Sequence, residues 1–182
     1  MNKTILITGA TSGFGEAMAY VFAAAGDRLI LTGRNENKLA AISADIQTKH
    51  GTAVHTLCFD IQNKEAVFAA VNSIPAAFTN IDVLINNAGL ALGRDSFQDA
   101  SLEDWETMID TNVKGLLYIS KAVLPLLINN KKGHIINIGS TAGVEVYKDG
   151  NVYCASKHAV AAISKSMRID LLPHHIKVTA IH

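Results

Sequence analysis

The stretch TGATSGFGE, residues 8–16, follows the apolar run ILI and decides how the rest of the chain is interpreted. Glycine permits a tight turn and close approach of the backbone to a pyrophosphate, and a helix starting here offers free N–H groups. A purely structural turn is the alternative, but a position between an apolar strand and a helix favours a dinucleotide site. The residues expected to bind the dinucleotide are Gly9, Thr11, Ser12, Gly13, Phe14 and Gly15.

Beyond this loop, short apolar runs rich in β-branched residues alternate with segments of helical spacing. Runs such as ILIT, LILT, VLIN and HIINI are continuously apolar, which is typical of parallel strands covered on both faces. The pattern predicts an α/β protein. We expect residues 1–182 to form one Rossmann-type, doubly wound parallel sheet with helices on both faces.

The predicted strands are Thr4–Thr8, Arg28–Thr32, Ala53–Phe59, Ile81–Ile85, His134–Ile138 and Lys177–Ile181. The predicted helices are Gly13–Ala25, Glu36–Lys49, Lys64–Ala70, Leu102–Asn129 and Val152–Leu172. Gly115 and Pro125 lie inside the longest helix and predict a kink or break there.

Composition restricts the class of protein. Hydrophobic residues make up 49% of the chain and charged residues 18%, which indicates a globular protein with an apolar interior. Basic and acidic residues number 16 each, so no net field attracts nucleic acid or an anionic membrane. We also expect no apolar run of the roughly 18 residues that a membrane helix needs.

The spacing of cysteine and histidine residues restricts the class of protein further. Cys58 and Cys154 form no CxxC pair, which favours free, packed thiols and a cytoplasmic location. The seven histidines lack metal-ligand spacing, so no metal is expected, and His174 and His175 are predicted to be exposed after Pro173.

The ends of the second and third strands carry the residues expected to select the cofactor. An acidic residue after the second strand would bind the ribose 2′-hydroxyl of NAD, but this chain has Gly33 and Arg34 there. A guanidinium can pair with a 2′-phosphate, so NADP is favoured, with a solvated surface arginine as the alternative. Asp60, after the third strand, would accept a hydrogen bond from the adenine amino group or, equally, cap a helix.

Late in the chain, the stretch YCASK places Tyr153 and Lys157 one helical turn apart, so that both side chains can meet one small molecule. The fourth strand leads into NNAG at residues 86–89, Asn112 lies in the next helix, and the fifth strand ends in IGSTAG with Ser140. Each residue alone would be an ordinary capping, turn or surface residue. Their joint occurrence at cleft-facing ends favours a catalytic set.

Together these motifs resemble the signature of the short-chain dehydrogenases/reductases, over essentially the whole chain and in the family's order. The resemblance implies that Tyr153 is the general acid/base and that Lys157 stabilises its phenolate and binds the nicotinamide ribose. It implies that Ser140 binds the substrate oxygen and that Asn112 positions a proton-relaying water. Further cofactor contacts are implied for Asp60, Ile61, Asn87, Ala88, Gly89, Tyr153 and Lys157.

Within the family, NNAGLALG, EDWETMIDTN, GHIINIGSTAG and GNVY resemble the bacterial NADP-dependent 3-hydroxy acid dehydrogenases. This implies serine, allo-threonine or 3-hydroxypropionate as the substrate and a homodimer or homotetramer as the assembly. Two alternatives remain: a reductase of the same family for another ketone or alcohol, and an NADP-binding fragment without turnover. Tyr147 and Lys148 are candidates to hold a substrate carboxylate. Because the chain stops at IKVTAIH, the family's substrate-covering C-terminal segment is expected to be absent.

Overall fold

Six parallel strands form the centre of the computed structural model, which describes residues 2–182. The sheet order is β3-β2-β1-β4-β5-β6, and every neighbouring pair is parallel. The strand order reverses between β1 and β4, so a crevice opens beyond the carboxyl ends of these two strands. The strands are β1 Thr4–Ile7, β2 Arg28–Gly33, β3 Val54–Cys58, β4 Val83–Asn86, β5 Gly133–Ile138 and β6 Ile176–Ile181.

Helices connect successive strands. Asn35, Asn63 and Ser101 begin three of them by accepting a hydrogen bond from a backbone N–H in the first turn, which satisfies a donor that the helix itself leaves free. The helices are α1 Gly13–Ala24, α2 Glu36–His50, α3 Lys64–Asn72, α4 Leu102–Ile109, α5 Leu116–Asn129 and α6 Asn151–Asp170, with 3₁₀ turns at Ala76–Phe78, Thr141–Gly143 and Leu172–His174.

Apolar cores lie on both faces of the sheet. Side chains alternate along each strand, so Leu6 of β1 packs on the face covered by α3 and α5, whereas Ile5 and Ile7 pack on the face covered by α1 and α2. The predicted doubly wound parallel sheet with helices on both faces is therefore confirmed.

The long predicted helix is interrupted. Residues Asp110–Gly115 form a π-helical segment between α4 and α5, while α5 continues through Pro125. The break thus falls at Gly115, where a Cβ atom would lie 2.9 Å from Ile61 Cγ2, and not at the proline.

The same stretch corrects the expectation about apolar runs. Taken together, Leu102–Asn129 is long and apolar enough to cross a membrane by length and composition alone. Core helices pass the same test, and Ile119, Val123 and Leu127 of α5 are fully buried against the sheet. This packing accounts for the buried part of its apolar character, while Leu117 stays exposed.

The cysteine prediction is half right. Cys154 is buried, but Cys58 is exposed because the side chains of β3 alternate and Leu57 takes the buried side. His174 and His175 are both exposed, as predicted.

Candidate functional site

A cavity of about 960 Å³ lies beyond the carboxyl ends of the strands, lined by residues that follow β1 to β5. Most of the predicted site residues border it. Those that line the cavity are Gly9, Thr11, Ser12, Gly13, Phe14, Arg34, Asp60, Ile61, Asn87, Ala88, Gly89, Tyr153 and Lys157. Gly15, Asn112 and Ser140 are not among the residues that line it.

The glycines of the first loop serve different purposes. Gly13 has φ +56°, and a Cβ atom there would have no heavy atom within 4 Å, so its surface stays open toward the cavity. A Cβ on Gly15 would overlap the carbonyl oxygen of Gly9 and lie 2.5 Å from Asn87 Nδ2. Gly15 is therefore required for packing between the start of α1 and the loop.

The loop after β4 is tied to this glycine loop by Thr8 and Asn87. Asn87 Nδ2 donates to the carbonyl oxygens of Thr8 at 2.8 Å and Gly9 at 3.2 Å. The Thr8 hydroxyl accepts from the backbone N–H groups of Asn87 at 3.0 Å and Ala88 at 2.9 Å. Sequence reasoning missed Thr8, although its place directly before the first glycine put it at this junction.

At the far end of the cavity, Arg34 lies beside Asp60, with Nη1 and Oδ2 3.5 Å apart. The Arg34 side chain is 64% exposed, so this is a weak, solvent-screened pair that leaves the guanidinium available. Asp60 also accepts from the backbone N–H of Gln62, while Asn63 caps α3. The helix-cap interpretation of Asp60 is therefore wrong.

Lys38 is a second cation on this part of the lining that sequence reasoning missed. It lies in the first turn of α2, whose N-cap Asn35 accepts from the Lys38 backbone N–H at 3.0 Å. A basic residue in the turn that follows Arg34 was the available signal.

The Tyr153–Lys157 pair lies on α6 facing the cavity. Lys157 is only 6% exposed, and its Nζ donates to the carbonyl oxygen of Ile138 at 3.0 Å. Nζ lies 5.9 Å from the centre of the Tyr153 ring. Burial lowers the pKa of the Lys157 ammonium, which has no carboxylate partner among the ion pairs of residues 2–182.

Asn112 lies in the π-helical segment and is 2% exposed. Its Oδ1 accepts from Leu90 N at 2.8 Å, and its Nδ2 donates to Leu90 O at 2.8 Å and to Ser156 Oγ at 3.0 Å. A Cβ on Gly89 would lie 3.2 Å from Asn112 Oδ1 and 3.5 Å from Lys157 Nζ. Asn112 therefore lies directly behind the cavity wall, beside the lysine.

Ser140 begins the 3₁₀ turn after β5, and its Oγ accepts from Ala142 N at 3.1 Å. Its neighbour Gly139 lines the cavity. Tyr147 and Lys148 do not line it, and a Cβ on Gly150 would lie 2.7 Å from the Tyr147 ring. Their role in binding a substrate carboxylate stays a prediction. Residues 2–182 hold no group of three or more His, Cys, Asp or Glu side chains able to bind a metal ion.

A doubly wound sheet with a glycine loop and an inward-facing Tyr–Lys pair defines the chain as a dinucleotide-binding α/β protein. The family model described as short chain dehydrogenase matches residues 3–182, and the chain belongs to this family. The predicted family, and with it an oxidoreductase fold, is confirmed.

The names of similar proteins are consistent with membership of this family. The chain is 48% identical over 177 residues to the NADP-dependent 3-hydroxy acid dehydrogenase of Salmonella typhi, covering 97% of this chain and 70% of that protein. It is 46% identical over 180 residues to a sulfoacetaldehyde reductase of Chromohalobacter salexigens, covering 98% and 70%. The crystal structure of serine dehydrogenase from Escherichia coli superposes with a TM-score of 0.93 at 45% identity, covering 98% and 81%.

Proposed function

We propose that this chain is an NADP-dependent oxidoreductase acting on a small 3-hydroxy acid of the serine, allo-threonine or 3-hydroxypropionate type. The observation that carries the proposal is that Tyr153 and the buried Lys157 line the same cavity as the glycine loop. Nucleotide binding and proton transfer would thus occur in one domain. The dehydrogenase of Salmonella typhi, at 48% identity, supports the choice of cofactor and substrate.

The residues present fit NADP. The open surface of Gly13 at the start of α1 leaves room for a pyrophosphate at a helix N-terminus. The weakly paired Arg34, with Lys38 nearby, offers positive charge to a 2′-phosphate. A serine dehydrogenase of 45% identity has been crystallised with NADP⁺, with a TM-score of 0.91, covering 97% of this chain and 70% of that one.

The chemistry of the site follows from the placement of its side chains. When bound, the nicotinamide supplies hydride transfer to or from the carbon that carries the substrate oxygen. Tyr153 exchanges a proton with that oxygen, and the Lys157 ammonium stabilises the phenolate form of the tyrosine. Ser140 would turn its hydroxyl from Ala142 N toward the substrate oxygen, and Asn112, beside Lys157, would hold a water that passes protons outward.

A sulfoacetaldehyde reductase is the second candidate, because two such proteins are 44% and 46% identical to this chain. Both functions interconvert a carbonyl and a hydroxyl group, so the same Tyr153 and Lys157 would serve either. They differ in the acid group, carboxylate or sulfonate, that one intervening carbon separates from the reacting carbon.

The test follows NADPH absorbance with the 182-residue chain. L-allo-threonine, L-serine and 3-hydroxypropionate are offered with NADP or NAD, and sulfoacetaldehyde is offered with NADPH. We expect NADP-dependent turnover of a hydroxy acid that is lost in Tyr153→Phe, which retains NADPH binding. Faster turnover of sulfoacetaldehyde would select the second candidate. NADPH binding without turnover would leave only the nucleotide-binding function.

We further propose that the chain assembles through α5 and α6 into a homodimer or homotetramer. A small apolar groove between these helices is lined by Leu117, Leu124, Met167 and Leu171. Covering it with the same groove of a second copy would remove apolar surface from water. Light scattering after gel filtration should show a mass that falls toward the monomer in Leu124→Glu.

A further inference from the structure

We propose that Asn151 is a positioning residue that fixes the loop after β4 against the catalytic helix and so shapes the substrate side of the cavity. The inference rests on the proposed function for its kinetic part alone. Asn151 is the first residue of α6, two positions before Tyr153, and none of the predicted roles includes it.

Asn151 joins three parts of the chain. Its Oδ1 accepts from the indole Nε1 of Trp105 on α4 at 3.0 Å and from Val152 N at 2.6 Å. Its Nδ2 donates to the backbone carbonyl of Asp95 in the loop at 3.2 Å. The Trp105 ring packs in turn against Phe97 of the same loop, with ring centres 4.8 Å apart.

The loop is therefore attached to α6 at two points. Nearer β4, Asn112 hydrogen-bonds to the backbone N–H and carbonyl groups of Leu90 and donates to Ser156 Oγ. Farther along, Asn151 holds Asp95. Tyr153 lies between Asn151 and Ser156 on α6, so the two attachments bracket the turn that carries the phenol.

The loop between these attachments forms part of the cavity wall through Leu90 and Ala91. Releasing the Asp95 end would let Ala91 move relative to Tyr153, while Asn112 continues to hold Leu90. The glycine loop is held by Thr8 and Asn87 against the start of the loop after β4. The glycine loop and Arg34, which follows β2, make no hydrogen bond to Asn151 or Asp95 and would keep their geometry. Loss of Asn151 should consequently affect the substrate more than the cofactor.

The experiment compares Asn151→Ala with Asn151→Asp, which can still accept from Trp105 and Val152 but cannot donate to Asp95. Because Asn151→Ala loses all three of these hydrogen bonds and Asn151→Asp only the one to Asp95, we expect the KM for the hydroxy acid to rise about tenfold in Asn151→Ala and less in Asn151→Asp. The Kd for NADPH should stay within about twofold. Asn129→Ala, an exposed asparagine at the end of α5, is the matched control.

Two measurements need no turnover. Trp105 is the single tryptophan of the chain, so its emission reports the bond to Asn151 directly and should shift in Asn151→Ala. Trypsin should cleave after the exposed Arg94 faster in both Asn151 variants than in the parent and the control.

The outcomes separate the two proposals. An inactive parent chain would overturn the proposed function, while Trp105 emission and cleavage at Arg94 would still decide the role of Asn151. Emission and cleavage that match the parent, or a KM change shared equally by Asn129→Ala, would overturn the role of Asn151.

Discussion

Gly13 and Gly51 share a left-handed backbone, with φ +56° and +63°, and a Cβ atom on either would meet nothing within 4 Å. Gly51 ends α2, whereas Gly13 faces the cavity. Alanine at either position should cost about 1 kcal/mol of unfolding free energy, because the backbone conformation disfavours a side chain. Only Gly13→Ala should also weaken NADPH binding, as measured by fluorescence titration. An equal loss of affinity in both variants would contradict the pyrophosphate placement.

Arg34→Ala should weaken NADPH binding about 10- to 100-fold, the range expected when a charged hydrogen bond to a phosphate is lost. NADH binding should change little, since NADH lacks the 2′-phosphate. Both nucleotides are titrated into the parent, Arg34→Ala and the control Lys165→Ala. The control removes one exposed charge on α6. If the two nucleotides lose affinity equally, Arg34 does not select the cofactor.

The sequence motifs predicted which residues lie at the site better than they predicted the direction in which each residue points. Thirteen predicted residues line the cavity because turns after parallel strands share one edge of the sheet. Gly15, Asn112 and Ser140 occupy motif positions but do not line the cavity; Gly15 packs against Gly9, and Asn112 and Ser140 hydrogen-bond to backbone groups. Local sequence could not show this for Gly15 and Asn112, because their partners Asn87 and Leu90 are distant in sequence, whereas Ser140 contacts Ala142 only two residues along the chain. Asn151 was missed because its partners lie 46 and 56 residues away.

At the scale of elements, a buried polar chain joins β4, β5, α5 and α6. Asn86 Nδ2 donates to Asn137 Oδ1 and to Ser120 Oγ, each at 2.8 Å, and Asn137 Nδ2 donates to Ser164 Oγ at 2.8 Å. Asn137→Ala should cost about 2 kcal/mol, because buried polar partners lose their hydrogen bonds. Urea denaturation measures the loss. Asn129→Ala should stay within about 0.5 kcal/mol, and a similarly small effect in Asn137→Ala would show that the chain is not stabilising.

The elements themselves were largely predictable, since continuous apolar runs are sufficient to mark buried parallel strands. All six strands fall within one or two residues of the predicted bounds. The π-helical segment was not predictable in kind, because Gly115 is required by contact with Ile61, which lies more than fifty residues earlier. Pro125 was an unreliable signal: α5 tolerates it without ending.

For the whole molecule, the buried ammonium of Lys157 links stability to pH. Burial lowers its pKa below the ordinary 10.5, so the unfolded chain binds this proton more tightly than the folded one. The resulting destabilisation is complete below the folded pKa and decreases as the pH rises through that value toward 10.5.

Lys157→Met should therefore be inactive yet more stable than the parent at pH 7, with a gain that shrinks at alkaline pH. Thermal unfolding from pH 7 to 10 measures this trend. Lys165→Met removes an exposed lysine of the same helix and should show no such trend. A gain that is constant with pH would mean that packing, and not the buried charge, accounts for the difference.

The π-helical segment Asp110–Gly115 also restricts where the length of the chain can vary. Each residue advances an α-helix by about 100°, so removing one here would turn α4 relative to α5 by roughly that angle. Either Trp105 would leave Asn151 or Leu127 would leave the core. A single insertion or deletion, harmless in a surface turn, would here break either the contact of α4 with α6 or the packing of α5 on the sheet. The segment therefore fixes the rotation between the face of α4 that contacts α6 and the face of α5 that packs on the sheet.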